Sequence, residues 1–197
     1  TPDGNAVLFG ALRQDEVKHR QFPHRSQSEL YSVPVSGGRV NQILTVPAEY
    51  VQFSPDGKSL YYQDKKGGED EYRKHHTSSI TRDLWRYDMA NDSHTQLTTH
   101  NAEDRQPVVS ADGKTIYFLS ERSGTFNVWK APAGSLKQAT QVTDFKLHPV
   151  RFLSQSTNGT LCFGFDGELY TMQDGGQPKK LSVTIITQGS DNQDKFV

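Results

Sequence analysis

Residues 106–131 read QPVVSADGKTIYFLSERSGTFNVWKA, and this stretch decides the fold of the chain. Its centre, TIYFLS, is apolar and rich in β-branched and aromatic residues, which favour β-strands. Asp112-Gly113, just before it, is typical of a tight hairpin turn, because such a turn needs a left-handed backbone conformation. The stretch therefore predicts three short β-strands joined by two turns.

The same unit recurs along the chain. Turns with Asp-Gly or Asn-Gly lie at intervals of roughly fifty residues, a period typical of propeller blades, at residues 2–4, 55–57, 111–113 and 157–159. An apolar strand follows each turn, then a second strand beyond a variable loop, then a short strand that closes the unit. We therefore predict an all-β fold, a partial β-propeller of about four blades with four antiparallel strands each. A β-sandwich is the alternative, but sandwiches do not repeat one motif in register.

The turns divide this single propeller into consecutive units, at about 1–46, 47–98, 99–143 and 144–182. The first unit opens on its turn, so we expect its innermost strand to be missing and interpret the chain as a fragment of a longer polypeptide. Residues 183–197 are predicted to be an extra strand, VTIIT, and a polar tail. That strand would start another blade or complete the first one. Trp85 and Trp129 are expected at equivalent positions, in the third strands of adjacent blades.

The composition excludes several classes of protein. The chain has 197 residues and a formal net charge of -1, which gives no basic surface for a nucleic-acid partner. It has no run of about 18 apolar residues, so we expect no membrane span. Its single cysteine, Cys162, excludes an internal disulfide framework.

One side of the predicted propeller carries the long connections. In an up-and-down blade alternate connections fall on the same side, so long loops within blades share it with the links between blades. We call this side the loop face, and its segments are 13–28, 65–81, 98–105, 121–125 and 144–148. Six of the seven histidines belong to it: His19, His24, His75, His76, His100 and His148. Function in such folds lies on loops that a rigid frame supports, so the loop face is the candidate functional face.

The sequence contains no catalytic constellation. There is no Gly-x-Ser-x-Gly nucleophile motif, and Ser123 belongs to a turn with no base paired to it. His75-His76 could ligate a metal, but neighbours on an extended segment point in opposite directions, so we predict no metal and no cofactor. The acidic run Glu69–Glu71 is interpreted as a solvated charged loop.

Charged residues of the loop face are the candidate contacts to a peptide or partner: Arg73, His75, His76, Arg82, Asp83, Glu103, Asp104, Arg105 and Arg122. Arg105 and Arg122 lie at the ends of the first two strands of the third unit, on the same face, close to carboxylates. They would form a structural ion-pair network, or they would hold a peptide carboxylate in bidentate fashion. We favour the structural network.

Two motifs resemble known families. SPDGKSLYY at 54–62 and SADGKTIYFLSERSG at 110–124, followed by a Leu-Thr closure, resemble the TolB-type propeller repeat. EYRKHHTSSITRDLW at 71–85, followed by HTQLTTHNAEDRQPVV and the stretch up to Ala131, resembles the N-terminal propeller of tricorn-like serine peptidases. That resemblance is sharpest over Glu71–Ala131 and extends over the whole chain.

The resemblance to tricorn-like peptidases implies a non-catalytic propeller that gates or channels peptides within a large serine peptidase. Such proteins place two propellers before a PDZ domain and a protease core of the C-terminal-processing type. Their catalytic residues lie in domains that this sequence does not contain, so none is carried over. The family's first propeller has six blades, whereas four units are visible here.

The resemblance also implies partners and a location. The partners would be peptides or other proteins and the rest of a multidomain chain, with oligomerisation of the parent a further option. The location would be periplasmic or otherwise extracytoplasmic, with a cytoplasmic one as the alternative.

Two other functions stay open. One is a TolB-like protein-binding propeller with no protease attached. The other is the propeller of a prolyl-oligopeptidase-type enzyme, which an α/β-hydrolase domain downstream would favour.

Overall fold

The chain is built from short β-strands separated by turns and loops. The computed structural model describes residues 1–11, 28–67 and 72–186. The first seven strands are β1 (Ala6–Ala11), β2 (Glu29–Pro34), β3 (Asn41–Leu44), β4 (Ala48–Phe53), β5 (Ser59–Asp64), β6 (Leu84–Asp88) and β7 (Ser93–Gln96). The other eight are β8 (Asp104–Val109), β9 (Thr115–Ser120), β10 (Asn127–Pro132), β11 (Thr140–Gln141), β12 (Arg151–Gln155), β13 (Leu161–Phe165), β14 (Glu168–Met172) and β15 (Lys179–Lys180). A single 3-10 turn is the only helical segment of these ranges, so the predicted all-β class is confirmed.

The strands form four antiparallel sheets in which each strand pairs with the next one along the chain. The first sheet is β1–β2–β3, and the others are β4–β7, β8–β11 and β12–β15. Strand β1 follows a turn, as β5, β9 and β13 follow theirs, so the first sheet has no counterpart of β4, β8 and β12. This is the predicted partial propeller, with the innermost strand absent from its first sheet.

The repeated turns fold through one set of hydrogen bonds. Asp112 Oδ1 accepts from Ser110 Oγ at 2.6 Å and from the Lys114 N–H at 3.0 Å. These two bonds lower the pKa of Asp112. Gly113 supplies the left-handed conformation, with φ of +70°. Equivalent bonds form in the other three turns, so the repeat in the sequence is a repeat in local chemistry.

The two tryptophans occupy equivalent positions, as expected. Trp85 on β6 pairs with Tyr62 on β5 and with Gln96 on β7. Trp129 on β10 pairs with Phe118 on β9 and with a glutamine, Gln141, on β11. The register of the third strand is therefore the same in the second and third sheets.

The hydrophobic core lies between neighbouring sheets. One buried cluster joins the third and fourth sheets and includes Leu119, Phe126 and Phe163, all of which are almost fully buried. The first strands also meet, because β8 contacts both β4 and β12. The sheets therefore pack face to face with their first strands innermost, as propeller blades do.

Each innermost strand contains a β-bulge at the same place. The pairing register shifts between Glu49 and Gln52 in β4, and at the matching positions of β8 and β12. The first residue of each bulge has a left-handed backbone, with φ of +51°, +49° and +56°. We call these three the bulge residues: Tyr50, Gln106 and Phe152.

The extra strand expected at 183–187 is not formed by the described part of that segment. Residues 183–186 have no regular structure, and Ile185 and Ile186 are 80% and 89% exposed. An apolar, β-branched sequence becomes a strand only where another strand offers it hydrogen bonds. The expectations for His19, His24, Glu69–Glu71 and the polar tail lie outside the described residues.

Candidate functional site on the loop face

A segment of the second sheet crosses the loop face to reach the third and fourth sheets. We call residues 72–82 the strap. The carboxylate of Glu121, after β9, accepts hydrogen bonds from the main-chain N–H groups of His75 at 3.0 Å and His76 at 3.4 Å. Arg151, at the start of β12, donates to the carbonyl of Tyr72 at 3.3 Å. The strap therefore spans three sheets beside the ends of their inner strands.

The two strap histidines have opposite environments. His75 has a left-handed backbone, with φ of +56°, and is exposed. His76 is buried, and its Nε2 shares a hydrogen bond of 2.7 Å with Ser78 Oγ. Among the described residues, no group of three or more His, Cys, Asp or Glu side chains could hold a metal ion.

A buried ion-pair network lies beneath the strap. Glu103 has no exposed surface, and its carboxylate binds Arg82 at 2.8 Å and Arg105 at 2.8 Å. The guanidinium of Arg105 also lies 5.0 Å from the ring centre of Phe126. Burial acts to raise the pKa of Glu103, but the hydrogen bonds and charges of the two arginines outweigh it and lower that pKa. The network joins the end of the strap to the link between the second and third sheets.

A second buried pair joins Asp104 to Arg122. Arg122 donates through Nη2 to both carboxylate oxygens of Asp104, at 3.0 and 2.9 Å. The guanidinium also lies 5.3 Å from the Phe118 ring and 5.1 Å from the Trp129 ring. Burial raises the pKa of Asp104 although Arg122 opposes the shift. The guanidinium also donates through Nε to the Ser120 hydroxyl at 2.8 Å, and a lysine could not bind Asp104 and Ser120 at once while stacking on both rings.

Asp83 forms a third cluster on the second sheet. Its carboxylate binds Lys66 at 2.5 Å, Gln96 at 3.1 Å and the Thr98 hydroxyl at 3.2 Å. Beside it is a polar pocket of about 450 Å3. The pocket is lined by strap hydroxyl groups and by the link that carries His100. Such a pocket offers mainly hydrogen-bonding groups.

The nine predicted contact residues differ in their exposure to solvent. Arg73 and His75 lie exposed on the strap. Arg122 is half-buried, and the remaining six are buried: His76, Arg82, Asp83, Glu103, Asp104 and Arg105. The ion pairs of the arginines within the fold correspond to the structural network that we favoured. Peptide contact by these residues stays a prediction.

Sequence reasoning missed three residues that position the strap. Glu121 and Arg151 hold it, and Tyr72 stacks on Arg151 with the guanidinium 5.0 Å from its ring centre. Glu121 belongs to a quoted motif, but its bonds reach residues more than forty positions earlier. The one sequence feature that could have pointed to the strap was Tyr72, an aromatic residue within a long polar insertion.

The family of the chain follows from a comparison with protein-family models. The model of the tricorn protease N-terminal β-propeller domain matches residues 1–180. The chain belongs to this family. The match covers all four sheets, so the predicted resemblance is confirmed.

Solved structures support the same fold. A protein from Agrobacterium tumefaciens, provisionally assigned as TolB, superposes with a TM-score of 0.69 at 24% identity, over 91% of this chain and 61% of that one. TolB from Acinetobacter baumannii gives 0.64 at 17% identity, over 94% and 42%. The tricorn protease gives 0.53 at 14%, over 94% and 22%. Identities this low show the shared fold alone.

A curated relative matches much of the chain but has no stated activity. It is an uncharacterized protein of Agrobacterium fabrum, 26% identical over 165 residues, which are 81% of this chain and 49% of the relative. The chain therefore spans about half the length of the curated relative it matches. No helix in the described ranges is long and apolar enough to cross a membrane.

Proposed function

We propose that this tricorn-family propeller is the non-catalytic, peptide-handling region of a serine protease, and that it gates or channels peptides at its loop face. The observation that carries the proposal is the strap. It leaves the second sheet and is held on the third and fourth, beside the ends of β8 and β12. A propeller's channel opens where its inner strands end, so a peptide entering or leaving would pass this segment.

The way in which the strap is held supports a binding role. Three of its anchors are main-chain groups, namely the N–H groups of His75 and His76 and the carbonyl of Tyr72. The side chains of Tyr72, Arg73 and Lys74 are exposed, with 62% exposure for Tyr72. An aromatic ring beside cationic groups suits the apolar side chains and carboxylates of a peptide.

The buried ion pairs supply a rigid frame for this segment. Glu103 fixes Arg82, where the strap returns to the second sheet, and Arg105, on the inner strand β8. Binding loops work best on such a frame, since less freedom is lost when the ligand binds. In this proposal Arg82 and Arg105 support peptide binding indirectly, because they help to hold the strap in place.

The remaining parts of the proposal follow from the family. The parent protein would be a hydrolase whose catalytic residues lie in other domains, and this region would need no cofactor. Its partners would be peptides and the rest of the parent chain, in a periplasmic or otherwise extracytoplasmic location.

The test uses the full-length parent protein. Glu121→Ala removes the acceptor of both strap N–H groups and should change the hydrolysis rate of long peptides by about tenfold. Tripeptides, which need less guidance, should be cleaved at the wild-type rate. Asp174→Ala is the matched control, because Asp174 follows β14 on the face opposite the strap, where it pairs with Lys130. Equal rates for Glu121→Ala and wild type on every substrate would overturn the gating role.

A TolB-like binding propeller is the second candidate, favoured by the TM-score of 0.69 with the Agrobacterium structure. The mass and sequence of the full-length protein separate the two. A serine-protease core downstream supports the first proposal. A parent without such a core leaves a propeller that binds proteins, and affinity capture on the loop face would then be the next experiment.

A further inference from the structure

The polar pocket beside Asp83 is large enough to bind a ligand. Its volume of about 450 Å3 falls within the range of roughly 300–1,000 Å3 that is typical of ligand sites. The strap forms one wall, and the link between the second and third sheets forms another. All lining residues belong to the second sheet, its strap and this link, so the pocket does not depend on the first or the fourth sheet.

The strap wall of the pocket is held by hydrogen bonds within its own turn. The Ser78 hydroxyl accepts the Ile80 N–H at 3.3 Å and shares a hydrogen bond with the His76 ring. The Thr81 hydroxyl donates to the Ser78 carbonyl at 3.0 Å. Ile80 also packs on Gly67, where a Cβ atom would come within 3.1 Å of the Ile80 Cδ1 atom. Glycine allows this close approach, so the wall is part of the packed fold.

The two charged side chains of the pocket neutralise each other. Lys66 donates to Asp83 at 2.5 Å and to the Thr81 carbonyl at 2.7 Å, and its ammonium group lies 3.4 Å from Asp64. The three hydrogens of the ammonium group are therefore matched by acceptors of the fold. A ligand meets a wall without net charge, and a ligand carboxylate would lie near two carboxylates of the protein, which would repel it.

Four exposed polar side chains of the pocket remain for a ligand. Among the described residues, the side chains of Thr77, Ser79 and Asn101 form no hydrogen bond. His100 accepts the Ala102 N–H on Nδ1 at 3.0 Å, so its neutral ring carries the hydrogen on Nε2. The pocket thus offers a ring N–H donor, two hydroxyl groups and a carboxamide that both donates and accepts.

We propose that this pocket binds the carboxamide side chain of an asparagine or glutamine in a peptide that lies along the strap. The inference rests on the proposed peptide-handling function and names its substrate class. A carboxamide donates two hydrogens and accepts on its oxygen, so it can pair reciprocally with Asn101, while the hydroxyl groups serve either partner. It is also uncharged, as the wall requires. Ser79 and Asn101 are then specificity-determining residues.

Peptide binding to the full-length protein tests the proposal. The probes are fluorescein-labelled dodecapeptides that are identical except for one Gln, Glu or Met, which is moved through the sequence position by position. A serine-directed covalent inhibitor keeps them intact during anisotropy titrations. At the best position wild type should bind the Gln peptide about tenfold more tightly than the other two, because Glu brings a charge and Met lacks the hydrogen bonds.

Two substitutions of exposed residues remove these hydrogen bonds. Asn101→Leu keeps the size of the side chain and should abolish the Gln preference, whereas Ser79→Ala removes one hydroxyl and should reduce it about threefold. Both should leave the affinity for the Met peptide and the melting temperature unchanged. Asn41→Leu is the matched control, because Asn41 is an exposed asparagine at the start of β3, on the face opposite the strap. It should match wild type for every peptide.

The possible outcomes separate this inference from the proposed function. Peptide binding by wild type without a Gln preference at any position would overturn this inference alone. So would a Gln preference that survives in both pocket variants, since the amide would then bind elsewhere. Binding of maltotriose that Asn101→Leu removes, without a Gln preference, would assign the pocket to carbohydrate. Failure of wild type to bind any of the peptides would overturn the proposed function as well.

Discussion

Arg82 and Glu103 belong to links of different sheets, yet their charged groups meet at 2.8 Å with almost no solvent contact. Arg82 precedes β6 of the second sheet, and Glu103 precedes β8 of the third. The pair therefore ties two sheets together directly beneath the strap. Because the pair is buried, water cannot solvate a charge that loses its partner here, so breaking the pair should lower the free energy of unfolding.

Glu103→Gln should strongly destabilise the fold. The substitution leaves Arg82 and Arg105 without the carboxylate that binds both of them, at a cost of about 3–5 kcal/mol. Urea denaturation followed by tryptophan fluorescence measures the change. Lys180→Ala is the control, because its pair with Glu168 is half-exposed and should contribute at most about 1 kcal/mol. Equal losses for the two variants would contradict a buried, structural network.

The effect of Glu103 should depend on pH. Its pKa is lowered in the folded state from the ordinary value of 4.5, so its contribution to stability is present above pH 4.5. As the pH falls through the lowered folded pKa, the carboxylate becomes protonated and that contribution is lost. The difference in unfolding free energy between wild type and Glu103→Gln should therefore shrink below pH 4.5. A constant difference between pH 7 and pH 3 would show that the charge of Glu103 is not responsible.

Arg122→Lys separates the two roles considered for the arginines. Lysine keeps the charge but cannot bind Asp104 and Ser120 at once or stack on Phe118 and Trp129, so the free energy of unfolding should fall by about 2 kcal/mol. If Arg122 is structural, the folded variant of the full-length protein should cleave long peptides as wild type does. A normal unfolding free energy together with slower cleavage of long peptides would instead assign Arg122 to peptide contact.

Replacing the glycine of a repeated turn should destabilise the fold. Gly113 has φ of +70°, and a Cβ atom there would come within 3.3 Å of Pro55 in the neighbouring sheet's turn. Gly113→Ala should therefore cost about 1–2 kcal/mol. Gly134 lies in open space without a positive φ, so Gly134→Ala should be neutral or slightly stabilising. Thermal unfolding of both variants checks this, and equal melting temperatures would contradict the turn geometry.

The repeating part of the fold could be predicted from sequence because its causes are local. Asp112-Gly113 and its equivalents carry the turn chemistry within four or five residues, and the tryptophans follow at matching places in the repeat. The strand expected at 183–187 was wrong for residues 183–186 because a strand also needs a partner edge. A run of apolar residues carries no information about whether that edge exists.

The site was harder to predict because its contacts join residues that are far apart in the sequence and because they involve main-chain groups. The charges around Arg105 could be recognised as a rim of ion pairs. The bonds from His75 and His76 to Glu121 leave no pattern in the sequence, since any residue has an N–H group to donate. The bulge at Phe152 left no signal either, because glycine is the residue that usually marks such a conformation.

Photo-crosslinking tests the central claim, peptide handling at the loop face, most directly. A hexapeptide with a benzophenone side chain would be irradiated with the full-length protein, and the adducts mapped by mass spectrometry. The account predicts adducts on strap residues 72–75, and competition by an unlabelled peptide should remove them. Adducts confined to the Asp-Gly turns on the opposite face, or no competable adduct on this propeller, would contradict it.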